Sequence, residues 1–358
     1  MTASTQAAPQ SMPAGRAGTF DAEDDLEAIN QLYLERRWSD GLPIIPPTAA
    51  RVERMLAAAG RPRGEVVAHL APAFGAATVE LIAINAVMAG CPPHVMPVLI
   101  AAVEALADAE FNLQAIQATT NPVAIWVVVS GPAADRLGFQ AGFNCLGEGH
   151  RANATVGRAV RLLLRNVGGA LPGDMDRSTQ GQPARYTMCC AENEAQSPWT
   201  SLRAEYGFGP EDSTVTVVGI EGTMNMNTHS KEVNELLRVF AETMVHPPSN
   251  EYVHGGEPWL MICPEHAEIC MKGGFDKAAV QQRLWETTRI PARSMAEKDL
   301  YRAKASRRAE LGEIGPDTML PIAREPADIR LMVAGGPGTH SVYIPCFGNS
   351  RAATRRIL

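Results

Sequence analysis

The sequence predicts an α/β protein in which a mostly parallel or mixed sheet is covered by helices, with an αα-hairpin near the N-terminus. Its main signal is a set of apolar, β-branched runs that end abruptly in Gly- or Pro-rich loops. These runs are residues 123–129, 214–218, 259–262 and 329–333. Apolar runs with little polar alternation, separated by helical segments, are typical of strands buried on both faces.

The N-terminal third favours helices. Residues 21–37 carry apolar side chains at helical spacing, and two further helical segments, 78–89 and 93–106, are joined by Gly90-Cys91-Pro92. Pro93 suits the first turn of the second segment because the missing N–H needs no partner there. These two segments are the predicted αα-hairpin.

The predicted organisation has three parts. Residues 1–20 are rich in small and polar residues and are expected to form a disordered arm. Residues 21–122 form a helical region packed on the core, and residues 123–358 form the α/β core. A single continuous domain over 21–358 is the alternative, since α/β folds reach this length around one sheet.

Composition and charge exclude several function classes. The chain of 358 residues has a formal net charge of −7, which argues against nucleic acid as a partner. The clearest apolar run, 123–129, is too short to cross a bilayer, and the N-terminus lacks the apolar core of a signal peptide. Seven scattered cysteines without a Cys-x-x-Cys motif predict reduced thiols in the cytoplasm.

Loops that follow parallel strands meet at one edge of a sheet, where ligands usually bind. The four runs above would bring a set of reactive side chains and free backbone amides to that edge. These residues are Glu221, Cys263, Glu265, His266, Gly336 and His340.

A polar loop that leads into a helix at residues 144–155 is a second candidate site. The start of a helix offers unpaired N–H groups and a positive dipole, which together with an arginine make a pocket for a small anion. The alternative is a polar loop that only caps the helix. The residues concerned are Asn144, Cys145, His150, Arg151, Asn153 and Thr155.

Two cysteines are candidate nucleophiles. Cys91 directly precedes a helix, whose dipole would favour a thiolate, and Cys145 lies in the polar loop. The alternative for Cys91 is a small buried residue at a helix junction. Cys189 and Cys190 are adjacent on a predicted strand, so only one of them can point into a site.

Metal and phosphate motifs are incomplete. Cys263-Pro-Glu-His266 and Cys145 with His150 place thiol and imidazole a few residues apart, but the paired knuckles of structural zinc sites are absent, so no metal ligand is predicted. The loop 335–340 follows a strand as a phosphate loop does, without the Gly-Lys-Ser/Thr ending. A tight connection is the alternative, and no cofactor is firmly implied.

Five segments together resemble a bacterial family associated with selenoproteins named for a Sec/Cys-Gly-Ser-Cys (UGSC) motif. They are residues 38–48, 84–93, 117–122, 151–158 and 264–266, and the resemblance spans about residues 25–358. No Cys-Gly-Ser-Cys occurs in this chain. The resemblance implies thiol chemistry and shared segments that contain Asp40, Asn85, Cys91, Thr119, Thr120, Arg151, Asn153, Glu265 and His266.

Three functional hypotheses follow. The leading one is a cysteine-dependent enzyme acting on a small anionic metabolite, by carbon–heteroatom bond cleavage or formation or by thiol redox transfer. Cys91 or Cys145 would be the nucleophile and His150 or His266 the acid/base. The second hypothesis is a metal-dependent hydrolase or lyase at the same cleft. The third is a non-catalytic substrate-binding subunit of a redox complex, and a homo-oligomer is a further expectation.

Overall fold

Two four-stranded sheets packed face to face organise the chain. The computed structural model describes residues 17–358, so most of the arm predicted over residues 1–20 lies outside the described residues. The strands are β1 (Val66–Leu70), β2 (Gly75–Thr78), β3 (Ala124–Ser130), β4 (Cys189–Ala191), β5 (Thr214–Ile220), β6 (Met224–Asn227), β7 (Trp259–Ile262), β8 (Ile290–Pro291), β9 (Met319–Leu320), β10 (Arg330–Val333), β11 (His340–Ile344) and β12 (Ala353–Arg356).

Helices cover the outer face of each sheet. They are α1 (Leu26–Glu35), α2 (Ala49–Ala57), α3 (Val79–Ala89), α4 (Met96–Leu106), α5 (Leu113–Ala118), α6 (Ala133–Arg136), α7 (Arg151–Asn166), α8 (Leu202–Glu205), α9 (Val233–Met244), α10 (Asn250–His254), α11 (Pro264–Lys272), α12 (Lys277–Thr287) and α13 (Glu297–Leu311). The mixed α/β class predicted from the sequence is confirmed.

The apolar runs form strands because both of their faces are buried. In β3, Val127 and Val129 face the helical core that includes α3, α4 and α7, while Trp126 and Val128 face the second sheet. Successive side chains of a strand point to opposite faces, so a strand with apolar residues at every position needs a cover on each side. The result is a stack of four layers, helices, sheet, sheet and helices.

The two sheets repeat one plan. Their orders are β12-β5-β3-β4 and β6-β11-β7-β10, and in each the pairings are antiparallel, antiparallel and parallel. β6 follows β5 in the chain but joins the sheet of β11, and β12 follows β11 but joins the sheet of β5. Each sheet therefore receives one edge strand, β6 or β12, from the chain that leaves the other sheet.

Trp126 and Trp259 occupy corresponding positions in the two sheets. Trp126 pairs with Val218 of β5, and Trp259 is the residue paired with Ile344 of β11. Both indoles are fully buried between the sheets, and their rings contact each other edge to face, with centroids 5.6 Å apart. This contact joins the two halves at the centre of the protein.

The prediction of a mostly parallel sheet is wrong, and its mixed alternative is correct. Only β3 with β4 and β7 with β10 pair in parallel within the two large sheets. β5 and β11 instead run antiparallel to β3 and β7. The apolar runs indicated that these strands are buried, but burial on both faces carries no information about strand direction.

The predicted αα-hairpin of segments 78–89 and 93–106 is not clearly formed. α3 ends at Gly90, a short 3₁₀ turn of Pro93–Val95 follows, and α4 starts at Met96. α3 packs chiefly on α2 and α7, whereas α4 packs on β5 and β12. The two helices are highly apolar on all sides, so each is buried by different neighbours and not mainly by the other.

Within residues 17–358, no helix is both long enough and apolar enough to span a bilayer.

The contact between the two indoles gives a test of the sheet packing. Trp259→Ala should lower the free energy of unfolding by about 3–5 kcal/mol, because it leaves a cavity between the sheets. Urea unfolding at constant temperature measures the change. Tyr301→Ala is the control, since this exposed aromatic side chain on α13 should contribute within about 0.5 kcal/mol. Equal losses in the two variants would contradict the central role of the indole pair.

Candidate functional site

The loops that follow β3, β4, β7 and β10 converge at one edge of the sandwich. The amide of Gly335 donates to the carbonyl of Ala141 at 2.7 Å, and the amide of Asn193 donates to the carbonyl of Val333 at 2.8 Å. The amide of Gly131, which follows β3, donates to Glu194 Oε1 at 2.6 Å. Cys263, which follows β7, joins these loops through the carbonyl of Gly338. The loops after β3, β7 and β10 were predicted to meet, and the loop after β4 takes the place of the predicted loop after β5.

Glu221 does not lie at this edge, contrary to the prediction. β5 is antiparallel to β3, so Ile220 at its end is the partner of Ala124 at the start of β3. The loop after β5 consequently emerges at the opposite edge. There Glu221 Oε1 accepts a hydrogen bond from Asn250 Nδ2 at 2.6 Å, and burial raises the pKa of Glu221 to about 7.

Glu251 lies beside Glu221 and was not identified from the sequence. It is fully buried, accepts hydrogen bonds from Tyr343 Oη and from the amide of Cys346, and its pKa is raised by burial to about 8. Here the two connections β5–β6 and β11–β12 cross, with the amide of Glu221 donating to the carbonyl of Pro345 at 2.8 Å. The Glu251 carboxyl thus binds β11 and the connection from β11 to β12. It lies apart from the converging loops.

Cys145 and Cys190 form a thiol pair at the converging edge. Cys190 lies on β4 and Cys145 on the loop after β3, and both side chains are buried in the layer between the sheets. The two thiols are neighbours, and hydrogen bonding between them lowers the pKa of Cys145 and raises that of Cys190. The backbone amide of Gly335 also lowers the pKa of Cys145, whereas burial opposes it.

Cys189 points to the opposite face of β4, as alternation along a strand requires. It is buried in the helical core with Cys91, and burial followed by repulsion from Cys91 raises its pKa. Cys91 Sγ donates to the carbonyl of Thr155 at 3.3 Å, and burial raises its pKa to about 12. This surrounding disfavours the thiolate that the position before a helix had suggested.

The polar loop and the start of α7 are held mainly by bonds within the protein. Asn153 is buried and its side chain binds the backbone of Gln140 and donates to the carbonyl of Cys145 at 2.8 Å. Arg151 donates twice to the carbonyl of Gly90, and Thr155 Oγ1 donates to the carbonyl of Arg151. These contacts position Cys145 but leave few free donors for an anion.

The two remaining predicted residues of this loop lie around its exposed turn. Asn144 has a left-handed backbone with φ of 56°, and its side chain donates to the carbonyl of Glu148 at 2.9 Å. His150 is the residue before the first turn of α7, and its side chain does not cap the helix. His150 is therefore placed near the exposed end of the loop that carries Cys145.

Cys263 and His266 flank the other side of the loop 335–340. Cys263 Sγ donates to the carbonyl of Gly338 at 3.1 Å, and its backbone amide donates to Ser341 Oγ. Ser341 Oγ lies 2.8 Å from His266 Nδ1, and His266 Nε2 lies 3.3 Å from the carbonyl of Thr228. Since a carbonyl only accepts, Nε2 carries the proton and Nδ1 accepts from Ser341.

His266 is therefore a neutral, fully enclosed imidazole. Its exposed fraction is 0%, and burial lowers its pKa. Both ring nitrogens are engaged within the protein, which disfavours the role of acid/base assigned to it from the sequence. Glu265, in contrast, is partly exposed and forms an ion pair with Lys231, which lowers the pKa of its carboxyl.

The other predicted residues lie at different distances from the thiol pair. Gly336 is in tight contact with the ring of Phe143, which a Cβ atom at this position would overlap. His340 is exposed at the start of β11, 3.3 Å from Asn225 Nδ2. Thr119 Oγ1 accepts from Asn121, and the carbonyl of Thr120 accepts from Thr179, so both belong to the segment before β3 and not to the converging loops.

The donor set of the protein does not favour the metal hypothesis. Within the part of the chain that the structure describes, no group of three or more His, Cys, Asp or Glu side chains is arranged to hold a metal ion. Both ring nitrogens of His266 bind within the protein, to Ser341 and Thr228.

The hydrogen bonds of His266 give a test by pH. Its unfolded form has a pKa of about 6.5 and binds a proton more readily than the folded form, so the free energy of unfolding should fall as the pH drops below about 6.5. His266→Gln retains an acceptor for Ser341 and a donor for Thr228 without titrating. Between about pH 7.5 and about pH 5, its free energy of unfolding should therefore decrease less than that of the wild type.

Urea unfolding at the two pH values measures this difference, and His340→Gln, at an exposed position, is the control. An equally flattened pH dependence in both variants would show that the effect does not come from the buried imidazole.

Comparison with known proteins assigns no family to the chain. No family model and no curated protein matches the chain. The resemblance to the UGSC-associated family thus stays a prediction.

Proposed function

We propose that the protein is a cysteine-dependent enzyme of thiol redox transfer, with Cys145 as the nucleophile and Cys190 as the second thiol of the pair. The proposal rests on the position of two neighbouring thiols, Cys145 and Cys190, in the layer between the sheets where the loops converge. Of the seven cysteines, all of which lie within residues 17–358, Cys145 is also the one whose pKa is lowered, chiefly by hydrogen bonding with Cys190. The pKa is raised at each of the others, Cys91, Cys189, Cys190, Cys263, Cys270 and Cys346.

A lowered pKa supports this role because the thiolate is the reactive form of cysteine. The interaction with Cys190 favours the negative charge on Cys145 Sγ, while the pKa of Cys190 is raised. One thiol of the pair is thus favoured as the thiolate, and its neighbour keeps its proton. An isolated buried cysteine would have neither advantage.

The proposed reaction is exchange with a small disulfide. The Cys145 thiolate attacks one sulfur of the substrate, the S–S bond breaks, and the first thiolate leaves and takes up a proton. Cys190 then loses its proton and attacks Cys145 Sγ in the mixed disulfide, which releases the second thiol and forms the Cys145–Cys190 bond. Two electrons pass from the pair to the substrate, and a dithiol reductant restores the pair.

Access to the pair requires movement of the loop that covers it. Cys145 is only 3% exposed, so the substrate cannot reach Sγ in the closed arrangement. Phe143, 67% exposed, lies against Gly336 on the surface of this loop. Displacing this exposed ring breaks few buried contacts, and local opening of such segments costs much less free energy than global unfolding.

The proposed substrate is a small anion. Arg151 is bonded to Gly90, so the anion would bind through backbone amides near the start of α7 and not through a free guanidinium. A reducing compartment such as the cytoplasm suits a working dithiol. The implied thiol chemistry of the resembling family agrees with this reaction.

Alkylation rates test the reactivity of Cys145. With iodoacetamide at about pH 7.5, Cys145 should be the first cysteine of the folded protein to react, because it has the largest thiolate fraction. Peptide mass mapping over time identifies the site. Cys190→Ala should slow the reaction at Cys145, since alanine has no donor to stabilise the thiolate. Faster modification of Cys91 or Cys263 in the wild type would refute the assignment.

Exchange with oxidised glutathione tests the reaction itself. The wild type should form the Cys145–Cys190 disulfide, Cys190→Ser should retain glutathione on Cys145, and Cys145→Ser should do neither. Cys270→Ser is the matched control, because Cys270 is equally buried in the second helical core and should not affect the outcome. Non-reducing peptide mapping distinguishes these species.

If the wild type forms no such disulfide and Cys190→Ser carries no adduct, thiol redox transfer at this pair is wrong. Disulfide formation without turnover of glutathione in the presence of a dithiol would instead favour the non-catalytic subunit of a redox complex.

A further inference from the structure

A small, partly open cavity lies against the inner side of α7, far along the helix from the thiol pair. Its volume is about 10 Å³, which is room for one body of the size of a water molecule. Part of its wall is apolar and comes from β3 and α7. The polar part of the wall is made by Gln117, Arg161 and Arg185. We propose that this cavity binds a small monovalent inorganic anion of the size of chloride.

The charges around the cavity do not balance. Arg161 Nη2 lies 2.8 Å from Asp176 Oδ2, and Arg185 forms an ion pair with the same oxygen. All three side chains are at least 88% shielded from solvent, with exposed fractions of 12%, 4% and 12%. Two guanidinium groups thus share one carboxylate, which leaves one positive charge without a partner in a poorly solvated place.

A third arginine adds to this excess. Arg165, one turn further along α7, donates to the carbonyls of Arg37 and Ser39, which are neutral groups. Its Nε is buried and has no hydrogen-bond partner among the described residues. The remaining ion pair of this helix, between Arg158 and Asp40, is already balanced.

The polar wall offers hydrogen-bond donors and not acceptors. Gln117 is 2% exposed, and its Oε1 accepts from Arg161 Nη1 at 3.0 Å. The only acceptor of this side chain is therefore used, and its Nε2 has no protein acceptor within residues 17–358. Guanidinium and amide N–H groups that line a poorly solvated space favour an anion, because a buried charge without compensation is costly.

The titration behaviour of Arg161 agrees with an uncompensated charge. Burial, and next the neighbouring guanidinium of Arg185, lower the pKa of Arg161 to about 10, even though Asp176 acts in the opposite direction. An arginine in water keeps its proton to far higher pH. A bound anion would remove the cause of this shift.

The charge of the wall favours a monovalent anion. A water molecule brings no charge, and a sulfate or phosphate dianion carries more charge than the single excess positive charge. Chloride matches that charge and is a small ion. The bound ion would add to the contacts that already join α7 to the segment 117–122, through Arg161 and Gln117, and to the segment 176–185, through Arg161 and Asp176.

Thermal unfolding of the full chain tests the proposal. Sodium chloride or bromide should raise Tm over sodium gluconate at equal ionic strength, with a saturable shift of roughly 2–4 °C. Gln117→Leu and Arg185→Gln should each abolish most of this shift, because one removes an amide donor and the other the excess charge. Arg293→Gln, which alters an exposed arginine paired with Asp317, should keep the wild-type shift.

Crystals of the wild type grown in bromide give a second measurement that does not depend on how the variants fold. An anomalous peak within hydrogen-bond distance of Arg161, Arg185 and Gln117 is expected. The proposal is overturned if wild-type Tm is the same in chloride and gluconate, or if the crystals show no peak at these side chains. A peak that appears without any halide-dependent change in Tm identifies an adventitious ion only and overturns it equally.

Discussion

The packing of one sheet against the other is the constraint on which the rest of the structure depends. Trp126 and Trp259 meet edge to face in the middle of this layer, and apolar residues of six strands surround them. Since the indoles lie on the corresponding strands β3 and β7, the contact also aligns the two sheets with each other. That alignment brings the ends of β3 and β4 next to the ends of β7 and β10, and it creates the edge where the four loops converge.

The layer between the sheets also explains how a reactive thiol arises within a set of inert ones. β4 is covered on one side by helices and on the other by the second sheet, so its adjacent cysteines enter different surroundings. Cys189 meets Cys91 among apolar side chains, where burial and mutual repulsion raise the pKa of Cys189. Cys190 meets Cys145 on a loop whose neighbours donate hydrogen bonds, and there the pKa of Cys145 falls.

α7 has a comparable organising role in the N-terminal half. Its apolar face lies in the first core, while its arginines reach across several turns to loops before and after it. Arg158 binds Asp40, and Asn166 binds Asn85 and the carbonyl of Trp38. Four of the five segments that carry the family resemblance are therefore adjacent to this helix or part of it. The positions of these four segments are therefore explained by their packing on one helix.

The sequence by itself determined the α/β class, the positions of the buried strands, and the meeting of the loops after β7 and β10. These features follow from local patterns, since an apolar run without polar alternation requires cover on both faces and parallel neighbours end at one edge. Only the tertiary structure decided that β5 and β11 are antiparallel, which places Glu221 at the far edge. It also decided that Cys190 faces Cys145 and that Ser341 and Thr228 enclose His266. Strand direction and side-chain partners depend on contacts between residues tens to hundreds of positions apart, and no local pattern of residues encodes them.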